Sequence, residues 1–310
     1  MKAIREIRLP KKFAYTFSPD HKPIARVKPG ETVKIHCVDA AENRISKPGD
    51  LPSKRLNFPF LNPQTGPIYV EGAEKGDTLV VEVHAIEPTR DWVWSALIPD
   101  FGGLTSTTQT ATLNRPLPEK VWIYPLKNGW VHMRNGIKVP YQPFMGTMGT
   151  APEIESISAL APGNYGGNMD CADVCPGNKM LFPVRVKGAH FFTGDAHAAQ
   201  GDGELCGVAC ELAAAVTVTF GLIKRKPIPW PRVISPDAIM SIGSGRPMED
   251  AARIAWKDLV LWMESDFGFD RIEAYQLLSQ VGQMRLGNMV DTFYSMVAKC
   301  PRRYLPVTTL

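Results

Sequence analysis

The sequence predicts an α+β fold: a mainly β body of hairpin-like strand units, followed by a C-terminal helical pair. Three observations predict it. Val33, Ile35 and Cys37 alternate with Lys34 and His36, and Val216, Val218 and Phe220 alternate with Thr217 and Thr219. Such alternation marks a half-buried strand. Gly-polar turns recur ahead of the strand-like runs, and after Pro247 the apolar spacing changes to that of a helix.

Taken in order, Lys28-Pro29-Gly30-Glu31-Thr32 is a turn that opens a strand over 33–39. Asp39 falls on the apolar side of that strand, so its carboxylate must be paired, hydrogen-bonded or on a metal. Glu74-Lys75-Gly76-Asp77-Thr78 repeats the turn before Leu79 to His84, and Pro176-Gly177-Asn178-Lys179 opens a third unit before Met180 to Val184. Residues 87–150 read as irregular, rich in proline, glycine and aromatics, with loops at 99–104 and 143–152. Long loops inside a compact body often build a site. Residues 162–170 form another, ending in Asn168 and Asp170.

In the last third, Ala252, Ala255, Leu259 and Trp262 share one face of a helix of about four turns opened by Pro247. Asp270-Arg271-Ile272-Glu273 resembles a capping box for a second helix, running through Leu277 and Leu278 towards Gly282. The chain reads as one unit over 1–310, β-rich over 1–240 and helical over 247–300.

The 310 residues are 44% hydrophobic and 21% charged, the composition of an ordinary globular protein. A net charge of +4, with only short basic runs such as Lys224-Arg225-Lys226, gives no case for nucleic acid. No apolar stretch reaches the ~20 residues of a membrane span. The expectation is a cytoplasmic protein without a membrane partner. Cys171 and Cys175, like Cys206 and Cys210, are separated by three residues, a spacing compatible with a Cys₄ zinc site. The apolar company of Cys206 and Cys210 favours reduced, space-filling thiols instead.

The chemistry concentrates in Gly194-Asp195-Ala196-His197-Ala198-Ala199-Gln200-Gly201-Asp202-Gly203-Glu204, which follows a strand-like run from Ala189 to Thr193. Gly201 and Gly203 each disfavour a helix by roughly 1 kcal/mol, so the second half reads as a tight loop. On extended backbone Asp195 and His197 point the same way, which is how two ligands reach one ion.

This stretch, continuing through Cys206-Gly207 to Glu211, resembles the most distinctive motif of the acetamidase/formamidase family. Supporting matches follow in order: Asp39-Ala40, Gly66-Pro67-Ile68-Tyr69-Val70-Glu71-Gly72-Ala73, Met145-Gly146 through Ala151-Pro152, Gly166-Gly167-Asn168-Met169-Asp170, Ala274-Tyr275, Leu278-Ser279 and Val290-Asp291. The resemblance implies hydrolysis of a short aliphatic amide to carboxylate and ammonia by a metal-associated homo-oligomer, a dimer or larger.

That reaction needs a nucleophile, oxyanion stabilisation and a proton for ammonia. A divalent metal, zinc for preference, can supply the first two. Asp39, Asp195 and His197 are the candidate ligands, and Glu204 is the candidate base. Asn168 and Gln200 suit the substrate amide, since each donates and accepts. Glu71, Asp170 and Asp202 are further carboxylates, around the metal ligands or in a separate Ca²⁺ site. Two rival readings remain: Cys206 as a covalent nucleophile, and a non-catalytic metal-bearing β protein that binds a small ligand.

Overall fold

The computed structural model describes residues 4–105 and 117–306. Among these residues the chain forms two large sheets. In the nine-stranded sheet the order is Arg5–Ile7, Thr32–Cys37, Ala214–Ile223, Thr78–Pro88, Lys179–Pro183, Arg232–Ile234, Ala238–Gly245, Tyr294–Pro301 and Gln283–Asn288. The eleven-stranded sheet is built around Trp92–Leu97, Glu211–Leu212, Phe191–His197, Phe144–Thr150 and Gly166–Asn168, in that spatial order.

The two sheets share one core. Ile35, Val81, Val216 and Val218 of the first sheet belong to the same apolar cluster as Ile68, Met148, Phe191 and Leu212 of the second. Phe191 meets Phe220 edge-on at 5.2 Å and Phe182 at 6.2 Å, joining the two inner faces. Burying each such side chain fully contributes about 1.5–3 kcal/mol. The alternation predicted for the first strand is present, with Thr32–Cys37 half-buried and buried by turns.

The helical pair covers the far end of the nine-stranded sheet. Met248–Phe267 has 20 residues, longer than the four turns expected, and stops at the left-handed Gly268. Its buried stripe starts at Ala251 rather than Ala252, and runs through Ala255, Leu259 and Trp262. Asp270 caps Arg271–Val281 by accepting from the amides of Ile272 at 2.8 Å and Glu273 at 3.2 Å. Gly243 lets the long helix approach closely, since a Cβ there would lie 2.3 Å from the Ala251 carbonyl oxygen.

Two expectations change. The helical segment does not reach residue 300: it ends at Val281, and Gln283–Asn288 pairs with Tyr294–Pro301 as a hairpin. The sheet is the better partner here, because Val297, Ala298 and Cys300 are fully buried from it. Much of 87–150 is strand, including Trp92–Leu97 and Lys120–Lys127, and residues 144–150 are a fully buried strand, not a loop. Its glycines hid it. Strand propensity penalises Gly146 and Gly149, yet each sits where a Cβ would fall within 2.6 Å of a neighbouring atom.

One ion pair fixes the helix to the sheet. Arg232 donates twice to Asp258, each bond 2.8 Å, and Ser241 donates to the same carboxylate at 2.6 Å. All three are buried, with the guanidinium 4.8 Å from the Trp262 ring. Removing one partner of a buried pair costs about 3–5 kcal/mol, because the other charge is stranded. Asp258→Ala should therefore lower unfolding free energy by about that much in a urea titration, and Arg232→Met in the same chain should restore part of it. An Asp258→Ala protein as stable as the parent would contradict this assignment.

Candidate active site

The site is built on the strand Phe191–His197 and its neighbour Phe144–Thr150. Their register pairs Met145 with Ala196 and Thr147 with Gly194, which sets Gly146 across from Asp195. A Cβ at Gly146 would lie 2.6 Å from Asp170 Oδ1, 2.9 Å from Asp195 Oδ2 and 2.9 Å from His197 Cε1. Only glycine leaves that space to the functional groups. Three acids of the site sit on left-handed backbone: Asp170 (φ 46), Asp195 (φ 59) and Glu204 (φ 49). Aspartate visits that region with some ease; glutamate does so at a cost of about 1–3 kcal/mol.

Asp195 and His197 meet, with His197 Nε2 3.2 Å from Asp195 Oδ1, although the left-handed backbone at Asp195 departs from the regular extended strand that the spacing implies. Glu211 Oε1 lies 3.5 Å from the same nitrogen. The other ring nitrogen is fixed by Gln200. The Gln200 amide donates to the carbonyls of Asp170 and Gly287, each at 3.1 Å, so its Oε1 is left to accept from His197 Nδ1 at 2.9 Å. Nδ1 therefore carries the proton, and Nε2 is turned to the acids. Phe144 closes the ring edge-on at 5.0 Å.

Ligand atoms of Asp170, Asp195 and His197 lie within 4.8 Å of one another, and so do those of His197, Glu204 and Glu211. All five side chains are buried. Burial pushes Asp170, Asp291 and Glu211 well above the usual carboxylate range, and the neighbouring negative charges add to it. Glu204 rises to about 7, chiefly through burial. Burial opposes the charge of Asp195 too, but His197 and the hydrogen bonds at its oxygens hold it below its ordinary value. Burial alone would lower His197; the charges of Asp195, Glu211 and Glu204 raise it to about 10.

The donor set fits a divalent cation. Asp170 Oδ1 and Glu211 Oε2 are buried with no hydrogen-bond partner, a condition that costs free energy unless something positive meets them. Oxygen and imidazole donors suit a hard or borderline metal. Among the described residues no cysteine joins such a group.

A cavity of about 1130 Å³ opens beside the cluster, walled by Phe144, Pro143, Leu205, Val208 and Cys206. Glu204 is the acid of the cluster that lines it.

The expected site residues separate into those the fold gathers and those it does not. Asp195, His197, Glu204 and Asp170 come together. Asp39 is fully buried but committed elsewhere, paired with Arg90 at 2.7 Å and accepting from Trp94 Nε1 at 3.0 Å and from the amides of Ala41 and Asn43. Glu71 lies at a half-buried turn and is in neither group. Asp202 is exposed and bonded to Arg285 Nε at 2.6 Å.

Asn168 accepts from Thr147 and from Asn62 Nδ2 at 3.0 Å, and donates to Asp291 Oδ2 at 2.8 Å. It holds Asp291, and its oxygen is taken by Thr147 and Asn62. Cys206 lines the cavity, its thiol donating to the Val208 carbonyl at 3.2 Å.

Sequence reasoning assigned no role to several residues that matter here. Glu211 stood at the end of the motif, and Val290-Asp291 and Met145-Gly146 stood among the supporting matches. Asn62, which donates to Asp195 Oδ2 at 3.3 Å, and Asn288, which donates to Asp170 and Asp291 at 3.3 and 3.1 Å, carried no signal at all.

Comparison with known proteins agrees across the chain. The model of the Acetamidase/Formamidase family matches residues 9–161 and 153–306. The crystal structure of an acetamidase from Yersinia enterocolitica superposes with a TM-score of 0.96 at 46% identity, covering 98% of this chain and 94% of that one. A formamidase from Methylophilus methylotrophus is 27% identical over 276 residues, 70% of this chain and 68% of that protein. An acetamidase from Mycolicibacterium smegmatis is 26% identical over 263 residues, 66% of this chain and 64% of that protein. The chain thus spans about two thirds of the length of these two curated relatives.

The charge arrangement has a measurable consequence. A histidine whose folded value is raised from 6.5 to about 10 stabilises the fold fully below pH 6.5, and that contribution is lost as pH rises through about 10. In metal-free protein the His197 ring protons should titrate near 10 by NMR, and an Asp195→Asn substitution should bring the midpoint down. A midpoint at 6.5 in the unsubstituted chain would refute the arrangement.

Proposed function

This chain belongs to the acetamidase/formamidase family of amide hydrolases, and we propose that it cleaves small, neutral, linear amides, formamide and acetamide among them, with a divalent metal. The observation that carries the reading is Glu204: a buried acid at about 7, on the wall of an apolar cavity and beside the His197 cluster. Asp195, His197 and Asp170 would hold the ion, so Asp170 takes the place the sequence reading gave to Asp39. When bound, the ion supplies a Lewis acid for the amide oxygen and an acidified water.

The protein's own part follows from its geometry. Glu204 changes protonation near neutral pH, so it can take a proton from water and return it to departing ammonia. Gln200 holds Nδ1, so Nε2 would be the ring's ligand atom toward an ion. Asn62 and Thr147 donate to Asp195, Asn168 accepts from Asn62 behind them, and Phe144 and Val208 supply apolar wall for the substrate's small body. The reading includes a cytoplasmic homo-oligomer of zinc-bearing copies; light scattering tests the oligomer and metal analysis the zinc.

Ammonia release separates this mechanism from a Cys206 nucleophile. His197→Ala should lose its metal and more than the 10–100-fold of activity that a residue behind the ligands usually costs. Cys206→Ser should keep both. Glu204→Gln should bind metal and be inactive, and kcat/KM of the parent should fall below about pH 7 as Glu204 takes up its proton. An inactive Cys206→Ser protein with normal metal content, or faster turnover of tripeptides than of acetamide, would defeat the proposal. A protein that binds metal and small amides without releasing ammonia would favour the binding-protein reading.

A further inference from the structure

A second cavity, of about 690 Å³, is lined by Lys299, Arg302 and Arg303, together with the acids Asp173 and Asp237. We propose that it binds a small organic carboxylate. This site goes beyond the amide reading and does not depend on it.

The cavity carries unmatched positive charge. Arg302 makes one weak side-chain bond, from Nη1 to the Ser235 carbonyl at 3.4 Å, and the exposed Arg303 guanidinium lies 4.8 Å from the Tyr304 ring. Among the described residues neither has a carboxylate partner. Lys299 is paired with Asp173 at 3.2 Å. Three cations against two acids leave the cavity one positive charge in excess. A monoanion balances that charge, whereas a phosphate dianion would overshoot it beside Asp173 and Asp237.

The two arginines are placed by the backbone of one short turn. They begin the short 3-10 turn Arg302–Tyr304, which follows the strand Tyr294–Pro301 directly. The Arg302 amide donates to the Asp237 carbonyl at 2.8 Å, which fixes the turn against the neighbouring strand connection. Guanidinium forks match a carboxylate in two parallel bonds. Met240, Ala238 and Pro301 supply apolar wall for the organic body, and the volume is that of a small-molecule pocket.

Asp173 belongs to both cavities. It takes Lys299 on one oxygen and lies 3.9 Å from Arg285 Nη1 with the other. A carboxylate arriving at Lys299 therefore competes with Asp173 for the same ammonium. The ligand would be of the same chemical class as the acid product of amide hydrolysis.

Calorimetric titration of the full chain with propionate, at constant ionic strength against chloride, tests this. One saturable event is expected that survives in Glu204→Gln, weakens about tenfold or more in Arg302→Gln/Arg303→Gln, and tightens several-fold in Asp173→Asn as Lys299 is released. Phosphate should bind more weakly than propionate. The exposed Arg303→Gln alone should show part of the loss, so a misfolded double variant, detected by circular dichroism, still leaves a test. No saturable binding, an affinity unchanged by the arginine substitutions, or phosphate binding more tightly than propionate would overturn the proposal.

Discussion

One imidazole answers for five buried carboxylates, and the site depends on that imbalance. Asp170, Asp195, Glu204, Glu211 and Asp291 are all buried around or behind His197. Isolated carboxylates cannot stay charged without water, so their values are driven apart. Asp195, closest to the ring, keeps its charge; Glu204 is left poised at about 7. A difference in role thus arises from position alone, among side chains that are chemically almost the same. The orphaned oxygens of Asp170 and Glu211 mark where the compensation is incomplete without a cation.

The sheets supply what such a cluster demands, a dry and rigid enclosure. Residues 144–150 are buried on both faces, which the glycines permit by letting backbone and functional oxygens share the same volume. The helix held by Arg232 and Asp258 stiffens the other end of the nine-stranded sheet, next to the hairpin that carries Asn288. Packing and chemistry are coupled here: the strand at the centre of the second sheet is also the wall of the site.

Periodicity made the strands at 32–37, 78–88 and 214–223 and both helices legible, because each has one apolar face. It failed where both faces are buried or where glycine stands for close approach, as at 144–150. At the site, the Asp195 and His197 pair is legible in the motif, but the left-handed backbone at Asp195, which breaks the regular alternation, is not. Asp39 was read correctly as a buried acid in need of a partner, but sequence does not say that Arg90 is that partner. Asn62 and Asn288 lie far along the chain from the motif they serve, and nothing local distinguishes them from surface amides.

The C-terminal hairpin has a part in this beyond completing a sheet. The carbonyl of Gly287 receives Gln200, Asn288 holds Asp170 and Asp291, and Gly203 exchanges backbone bonds with Leu286 and Met289. During synthesis the acid-rich motif leaves the ribosome some eighty residues before this clasp exists. Without the hairpin, Gln200 loses its Gly287 partner and Asp170 loses Asn288, so neither the His197 tautomer nor the acid cluster is held from that side. The site is therefore closed only when the hairpin is in place, and a chain lacking residues 283–301 would lose every one of these contacts.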